Sequence, residues 1–481
     1  MFEKKESCGL FGIFGDPDAV QKTYFGLYSL QHRGQESAGI ASSDGEYIQC
    51  YKGMGTVGRV FRSGKGLLEG LANPIAIGHV RYSTTGSSCQ INGQPLLSEY
   101  SRGQVAVAHN GNLINASLLR DEYEAYGSIF KSTSDTEIII HLLAKPTHVS
   151  KPDPLAHVLN HLQGAYCLLF LYPDRIEAAR DPYGIRPLCL GQTEKGAYVV
   201  ASESCALDAI GAKFLREIMP GEIVRIDKKG LSSRFFVKPG TITPAHCIFE
   251  HIYFAKQNST FFGENVHVFR KKVGRQLAIE HPAEADVVIP VPDSGTAAAI
   301  GYAEKSKIPF DMGLVRSHYI GRTFISPDQK LRELEVKLKL AVVKEAVKGK
   351  RIVVVDDSIV RGTTTRGKIK TLREAGAKQI HMRVSCPPIR HPCFYGVDFP
   401  TSEELLANNR DLEQIREFLG VDSIGYISRE GMLSCESLPA DNYCTACWNG
   451  KYPIPIDTAV NKFTLEHYQL QMFDDSSQEN E

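Results

Sequence analysis

Apolar residues come in short runs divided by glycine turns, and the spacing of the runs changes near residue 262. Before that point, Cys8–Phe14, Ala76–Val80, Val105–His109, Tyr166–Leu171 and Tyr198–Ala201 are strand-sized runs. Helical spacing intervenes over Val20–Gln31 and Asp135–Leu143, which predicts an α+β sandwich-type domain over residues 8–235. Pro239, Gly240 and Pro244 mark residues 236–245 as a linker. Beyond it, helices over Val266–Glu280, Thr296–Lys305 and Thr363–Ala375 alternate with strands over Asp286–Pro290, Arg351–Val355 and His381–Cys386. That alternation predicts a parallel, doubly wound α/β sheet within residues 236–453. Residues 454–481 read as a weakly patterned tail. The longest apolar runs, Ala165–Tyr172 and Arg351–Val355, fall far short of the ~18 residues of a membrane span.

Composition narrows the classes. A chain of 481 residues has room for two or three domains. Lys+Arg and Asp+Glu both number 55, so the formal net charge is zero. That balance speaks against a nucleic-acid or membrane-surface binder. Twelve cysteines in so long a chain are too dilute for a disulfide scaffold and fit a reducing, cytoplasmic setting. Cys50, Cys89, Cys167, Cys189 and Cys205 read as small buried residues. Lys4, Lys5 and the apolar stretch after them lack a signal peptide's cleavage site, and the stretch holds three glycines. A short charged leader, residues 1–7, thus stands before a Cys8-Gly9 step.

Two glycine motifs are set aside. Gly53–Gly58 matches GxGxxG, but further glycines break the stretch after it and no acid stands about 20 residues on, so it reads as a turn. Gly362–Lys368 nearly matches a nucleotide P-loop, but Ile369 replaces the hydroxyl residue that would hold magnesium. The stronger signal is RIVVVDDSIVRGTTTRGK at 351–368. Asp356 and Asp357 follow a buried strand at its carboxyl end, where α/β sheets place ligands. Ser358, Ile359, Val360, Arg361 and Gly362 form a loop, and Thr363 and Thr364 open a helix whose free N–H groups suit a phosphate. Adjacent carboxylates suit ribose hydroxyls or Mg2+; the alternative is an acidic turn with a threonine cap. In IPVPDSGTAAA at 289–299, Ser294 either completes the magnesium or pyrophosphate site or caps a helix. Arg316, His318, Arg322, Arg332, Lys337 and Lys339 suit a basic lid, or else a solvated basic face.

VVVDDSIVRGTTT closely resembles the phosphoribosyl pyrophosphate (PRPP) loop of type I phosphoribosyltransferases. The resemblance implies that Asp356 and Asp357 serve the ribose hydroxyls, directly or through Mg2+, and that Ser358–Thr364 wraps the 5-phosphate.

At the other end of the chain, removal of residues 1–7 would free the α-amine of Cys8 to act as base for its own thiol. A buried cysteine on an edge strand is the plain alternative. CGLFGIFG, SLQHRGQESAGI (29–40), GHVRYSTTG (78–86), AHNGNL (108–113) and SDTE (134–137) occur in order. Together they resemble the glutaminase domain of N-terminal-nucleophile amidotransferases, an αββα sandwich. The resemblance implies Cys8 as nucleophile, Arg81 on the glutamine α-carboxylate and Asp135 on its α-ammonium. Asn110 and the N–H of Gly111 would form the oxyanion hole, with Arg33 and Gly34 in support. Taken singly, Arg81 could be a surface cation, Asn110-Gly111 a turn and Asp135 a helix cap.

A glutaminase joined to a PRPP-using domain resembles the amidophosphoribosyltransferase family, to about residue 453. The resemblance implies glutamine and PRPP as substrates, 5-phosphoribosylamine as product and the first step of purine synthesis. It further implies purine nucleotide inhibition, a homotetramer or homodimer, and no nucleic-acid or membrane partner. Cys444 and Cys447 form a CxxC pair, ambiguous by itself among zinc, redox and iron–sulfur roles. One subgroup of the family carries a propeptide and a [4Fe–4S] cluster, and its ligands match Cys247, Cys393, Cys444 and Cys447. Cys386 and Cys435 remain rivals. Two other functions compete: a different amidotransferase built on the same glutaminase, and a PRPP-sensing regulator without catalysis.

Overall fold

The computed structural model describes residues 8–62, 66–82, 87–317, 340–397, 399, 401–456 and 465. The leader, and all of the basic segment beyond Ser317 up to Lys339, lie outside the described residues.

Among the described residues the first half contains thirteen strands: β1 Gly9–Phe14, β2 Ser37–Ser43, β3 Ile48–Met54, β4 Ile75–Arg81, β5 Leu96–Tyr100, β6 Gly103–Leu113, β7 Gly164–Tyr172, β8 Arg175–Arg180, β9 Cys189–Gln192, β10 Tyr198–Ala201, β11 Lys213–Glu217, β12 Glu222–Asp227 and β13 Gly230–Phe235. They form two antiparallel sheets, ordered β11-β9-β10-β1-β4-β2-β3 and β13-β12-β8-β7-β6-β5. The period-2 alternation of strand side chains shows how the layers stack. In β7 all nine residues are buried. Cys167, Leu169 and Leu171 face the core between the sheets, while Tyr166, Leu168, Phe170 and Tyr172 face an outer core under the helices. The unbroken apolar run at 165–172 is thus a central strand covered on both sides. β1 behaves likewise, with Leu10 and Phe14 turned to the other sheet and Phe11 and Ile13 to helix Ala19–Ser29. The result is the αββα sandwich.

β1 lies between β10 and β4, so Cys8 does not open an edge strand. A short helix, Val57–Arg62, does follow the Gly53–Gly58 motif, but the strand before it is an antiparallel edge strand rather than part of a βαβ unit. Cys50 and Cys89 are half-buried rather than buried.

The second half is built on four parallel strands. After the short strands β14 His246–Cys247, β15 Thr260–Phe261 and β16 Glu264–Asn265, the strands β17 Val287–Pro290, β20 Arg351–Asp356, β21 Gln379–Val384 and β22 Ser423–Tyr426 pair in that order, while β18 Leu314–Arg316 and β19 Leu340–Val342 pair with each other. Helix Val266–Glu280 has the span its apolar spacing predicts, and Asn265 caps it by accepting from the N–H groups of His267 and Val268. It packs on helix Thr296–Ser306 through two reciprocal glycines. A Cβ on Gly274 would stand 1.9 Å from the carbonyl oxygen of Ala298, and one on Gly301 would stand 2.1 Å from that of Lys271. The strand expected over His381–Cys386 begins two residues earlier and stops at Val384. Cys386 therefore lies beyond the strand rather than on it. The expected tail is anchored where it is described: Ile454 and Leu465 are buried, and Leu465 joins the outer core of the first half.

The halves meet through buried charge. Arg33, from the first half, donates to Glu203 at 2.6 Å and to both carboxylate oxygens of Glu250 at 2.7 and 2.9 Å. Glu250 opens a wide helical turn, Glu250–Phe254, that belongs to the second half. Arg186 reaches the same carboxylate at 2.9 Å and donates to the carbonyl of Tyr395 at 2.9 Å. All four side chains are buried. Burial alone would raise the Glu250 and Glu203 carboxyls; the arginines, with His32 beside Glu203, hold both below the ordinary glutamate range.

Removing Glu250 would strand two buried guanidinium groups. Glu250→Ala is expected to lose about 3–5 kcal/mol at pH 7 in denaturant unfolding, whereas replacing an exposed acid such as Glu284 should cost under about 0.5 kcal/mol. Because the native Glu250 value is depressed, its contribution is complete above the ordinary glutamate value and fades as pH falls toward the native one. The gap between wild type and variant should therefore narrow in acid; a gap that widens would contradict the bridge.

Candidate functional site

The first candidate site sits at one end of the gap between the antiparallel sheets. Gly9 pairs with Val80, so Cys8 continues the register opposite Arg81. Leu10 and Phe14 turn into the gap, and by alternation so does Cys8. In β4 Ile75 and Ile77 face inward, which puts His79 and Arg81 on the same face. In β6 Ala106 and Ala108 face inward from the other sheet, and Asn110 follows them. Three chemically distinct groups thus enter one space from two sheets: a thiol, a guanidinium and an amide.

Their surroundings differ. The Cys8 thiol donates to the carbonyl of Tyr82 at 3.3 Å. Burial pushes its pKa up, against the pull of the Tyr82 backbone and the Arg81 charge. A thiol so placed needs a base to become a nucleophile. Its own carbonyl is held by Arg33 Nε at 2.9 Å. Asn110 is fully buried, and neither its Oδ1 nor its Nδ2 has a hydrogen-bond partner. An unsatisfied buried amide costs about 1–3 kcal/mol, so it calls for a function. Asp135 stands at the start of helix Thr136–Ala144 but does not cap it; instead it accepts from the N–H of Leu113 at 3.0 Å. Burial would raise Asp135, but His109, 3.6 Å away, then the Leu113 N–H and Arg81 bring it below its usual range.

The single-residue alternatives resolve in the same direction. Arg81 is buried, not a surface cation, and donates to the carbonyl of Ser87 at 3.1 Å. Asn110 and Gly111 lie within β6, not in a turn. Gly34 packs against the end of β4, where a Cβ would come within 2.6 Å of the Arg81 carbonyl carbon. Thr84, Thr85 and Gly86 of the matched motif lie outside the described residues.

The second candidate site is at the carboxyl end of β20. Asp356, Asp357 and Ser358 are buried there. Asp356 accepts from the N–H of Asp357 at 2.9 Å, and the Ser358 hydroxyl donates to Asp357 at 2.7 Å. The Ser294 hydroxyl donates to the other oxygen of Asp357 instead of capping its helix. This contact is set by Gly295, where a Cβ would stand 2.6 Å from the carbonyl of Val355 and hold the loop off β20. Gly362 takes a positive φ of 76° that turns the loop into helix Thr363–Glu374, whose first residue is exposed. No side-chain cap closes that helix start, so its N–H groups face the loop. Ile359 is buried, Val360 half-buried, and Arg361 pairs with Glu404 at 2.6 Å.

Two cations at this site escape a reading of the sequence. Lys368 Nζ lies 3.6 Å from Asp356 Oδ2; it stands in the motif set aside as a false P-loop. Arg270 is fully buried, and burial lowers its pKa to about 10 even with Asp357 and Glu203 pulling it up. Arg270 has no neighbouring motif, so only its place among apolar positions of a helix could mark it.

The third cluster holds the cysteines. Cys247 and Cys444 pair directly in a short parallel ladder between β14 His246–Cys247 and β23 Tyr443–Cys444. The four thiols of Cys247, Cys393, Cys444 and Cys447 are electrostatic neighbours, and burial raises each of them. Backbone N–H groups of Phe249, Tyr395 and Ala446 point at Cys247, Cys393 and Cys444, and Arg186 adds positive charge beside them. That is an environment prepared for thiolates. Among the described residues, no three of these sulfurs come within 4.8 Å of one another. A tetrahedral zinc with bonds of about 2.3 Å needs its sulfurs closer than 4 Å. Cys435 interacts with Glu436, Lys272 and Glu280, away from the quartet. Cys386 lies beside Cys447 but donates to the carbonyl of Pro387 at 3.2 Å.

Comparison with known proteins agrees with both halves. A glutamine amidotransferase domain model matches residues 79–209, and a phosphoribosyl transferase domain model matches residues 270–396. The chloroplastic amidophosphoribosyltransferase of Glycine max is 49% identical, covering 96% of this chain and 81% of that protein. The amidophosphoribosyltransferase of Bacillus subtilis is 48% identical over 94% of this chain and 95% of its own. A solved structure described as the allosteric regulatory enzyme of purine biosynthesis superposes with a TM-score of 0.90, at 46% identity, over 95% of this chain and 99% of that one. The B. subtilis glutamine PRPP amidotransferase complexed with ADP and GMP gives 0.89 over the same shares. With an N-terminal-nucleophile glutaminase sandwich joined to a type I phosphoribosyltransferase sheet, and with relatives at this identity over nearly its whole length, the chain belongs to the amidophosphoribosyltransferase family.

Proposed function

We propose that the chain transfers the amide nitrogen of glutamine to C1 of PRPP, the first step of purine synthesis. The unpartnered Asn110 amide, turned into the same gap as Cys8 and Arg81, carries the reading. With residues 1–7 removed, the Cys8 α-amine takes the thiol proton, and the sulfur attacks the glutamine carboxamide carbon. Asn110 and the Gly111 N–H stabilise the oxyanion, ammonia leaves, and water hydrolyses the thioester to glutamate. Arg81 and Asp135 hold the α-carboxylate and α-ammonium. At the second site, ammonia attacks C1 as the C1–O bond to pyrophosphate breaks, and the amine product loses a proton. Asp356 and Asp357 orient the ribose, Ser358–Thr364 wrap the 5-phosphate, and Lys368 and Arg270 balance the charge of the paired carboxylates. Asp356, Asp357 and Ser294 would hold Mg2+, which would supply charge neutralisation for the departing pyrophosphate.

The same proposal assigns Cys247, Cys393, Cys444 and Cys447 to a structural [4Fe–4S] cluster. The preorganised N–H groups and Arg186 support that assignment. Purine nucleotides are proposed as inhibitors, supported by the ADP and GMP bound to the Bacillus relative, and a homotetramer or homodimer as the assembly. No helix among the described residues is long and apolar enough to cross a membrane. A cytoplasmic location is proposed, although some relatives are chloroplastic.

The test is pyrophosphate release from PRPP with Mg2+, using glutamine or ammonia as donor. Cys8→Ala should keep the ammonia reaction and lose the glutamine reaction. Asn110→Ala should lower glutamine-dependent kcat by about 10²–10³ and leave ammonia-dependent kcat unchanged. Release with neither donor, in processed and cluster-loaded protein, would favour a PRPP-sensing regulator instead.

Alkylation reports on the leader separately. Iodoacetamide should label Cys8 far more slowly in a chain that keeps residues 1–7 than in one beginning at Cys8, because only the latter has the amine. Equal rates would remove the α-amine from the mechanism.

For the cysteines, Cys393→Ser in anaerobically purified protein should lose iron and brown absorbance, and Cys435→Ser should keep both. Iron-free wild type prepared with iron and sulfide would refute the cluster.

A further inference from the structure

A group of histidines lies outside both candidate sites. His148 follows helix Thr136–Ala144 in a short turn, His157 lies on helix Pro154–Leu159, and His161 stands one turn further on. The rings are 4.7, 4.8 and 4.9 Å apart between centroids. One ring nitrogen from each lies within 4.8 Å of those of the other two. Among the described residues no other group of three potential ligands converges this closely.

The hydrogen bonds determine the tautomers. His148 Nδ1 meets the carbonyl of Leu142 at 3.0 Å, and His161 Nδ1 meets the carbonyl of His157 at 2.8 Å. A carbonyl only accepts, so each Nδ1 carries a hydrogen, and in the neutral ring that leaves the lone pair on Nε2. An imidazole held through one nitrogen by a backbone carbonyl, with the other free, is how metal-ligating histidines are commonly oriented. Spacing adds to this, since His157 and His161 stand four apart, on one face of a helical turn. Burial is graded from buried His148 through half-buried His157 to exposed His161, which gives an ion a route from solvent and the outer ring room to turn inward.

We propose that His148, His157 and His161 form a binding site for a late first-row divalent metal ion of the zinc type. Three imidazoles with no carboxylate or thiolate select this class over Mg2+ or Ca2+, and they leave a coordination position for water. The ion would join helix Pro154–Leu159 to the end of helix Thr136–Ala144 through Leu142. Asp135 stands at the other end of that second helix, so an occupied site braces a part of the glutaminase fold that carries a proposed substrate contact.

The experiment uses the full-length protein with its cysteine quartet occupied, so that thiols do not compete. Zinc binding is followed by calorimetry, and the bound shell is read by zinc-edge X-ray absorption. Wild type should take up a single tight equivalent with nitrogen and oxygen neighbours only. His157→Ala/His161→Ala should weaken it about a hundredfold or more, with the circular dichroism spectrum unchanged. His157→Cys should retain zinc and add a sulfur neighbour. No uptake by wild type, equal uptake by the double variant, or a shell without sulfur in His157→Cys would each overturn the proposal and leave the rings as packing only.

Discussion

Glu250 is the acid through which the second half holds two buried arginines of the first. Its carboxylate is shared between Arg33 and Arg186, and Arg33 has the buried Glu203 as a second partner. Each arginine has a second task. Arg33 fixes the carbonyl of Cys8, and Arg186 fixes the carbonyl of Tyr395 in the segment that carries Cys393. A buried ion network of this kind contributes little net stability compared with an apolar core. What it supplies is geometry, because charges without water accept few arrangements. The position of Cys8 is therefore tied to the second half of the chain. Glu203 completes the link: it binds Arg33, accepts from Ser259 at 2.6 Å and from the N–H of Lys256 at 3.0 Å, and its charge reaches Arg270 behind Asp357.

Both candidate sites obey one structural rule. Each lies where strands end and glycine allows close backbone approach. In the first half, alternation along β1, β4 and β6 turns Cys8, Arg81 and Asn110 into a gap that, further in, is lined mainly by Ala, Leu, Ile and Val. The apolar interior raises the value of the few polar groups at its mouth, since each acts in a medium of low dielectric. In the second half, β20 presents its carboxylates at the sheet's end, and Gly295 lets the Ser294 loop close on them. In both cases apolar strands supply rigidity and the residues just beyond them supply chemistry.

This division explains what can be read from the sequence. The central strands, helix Val266–Glu280 and the loop after β20 are local patterns, and the residues that carry them are contiguous. Arg33 and Gly34 are legible as motif members, but their partners are not. Arg33 meets Glu250 across 217 residues, and no periodicity links them. Arg186, Glu203 and Arg270 look like ordinary charges in ordinary elements; only the fold shows that they are buried and matched. Lys368 is passed over because the motif containing it fails a test for a different ligand. The strand before Cys386 is read too long because buried-type Cys386 follows closely on Val384, while the ladder to β22 stops at Val384.

The cysteine quartet has a mechanical consequence that holds whatever it binds. Its members come from three distant stretches of chain, and one of these touches the glutaminase half directly. Phe394, next to Cys393, accepts a hydrogen bond from Asn112 Nδ2 at 3.0 Å. A Cβ on Gly396 would stand 3.1 Å from the carbonyl oxygen of Gly111. The backbone proposed to stabilise the oxyanion is thus backed by the segment that carries a quartet thiol. Burial keeps these four thiols protonated when unligated, and four such groups lack a strong reason to stay together. Ligation would deprotonate them, add bonds across the three stretches and hold Gly396 against Gly111. The quartet needs no redox role to matter to glutamine chemistry; holding one strand of the oxyanion site in place is a sufficient one.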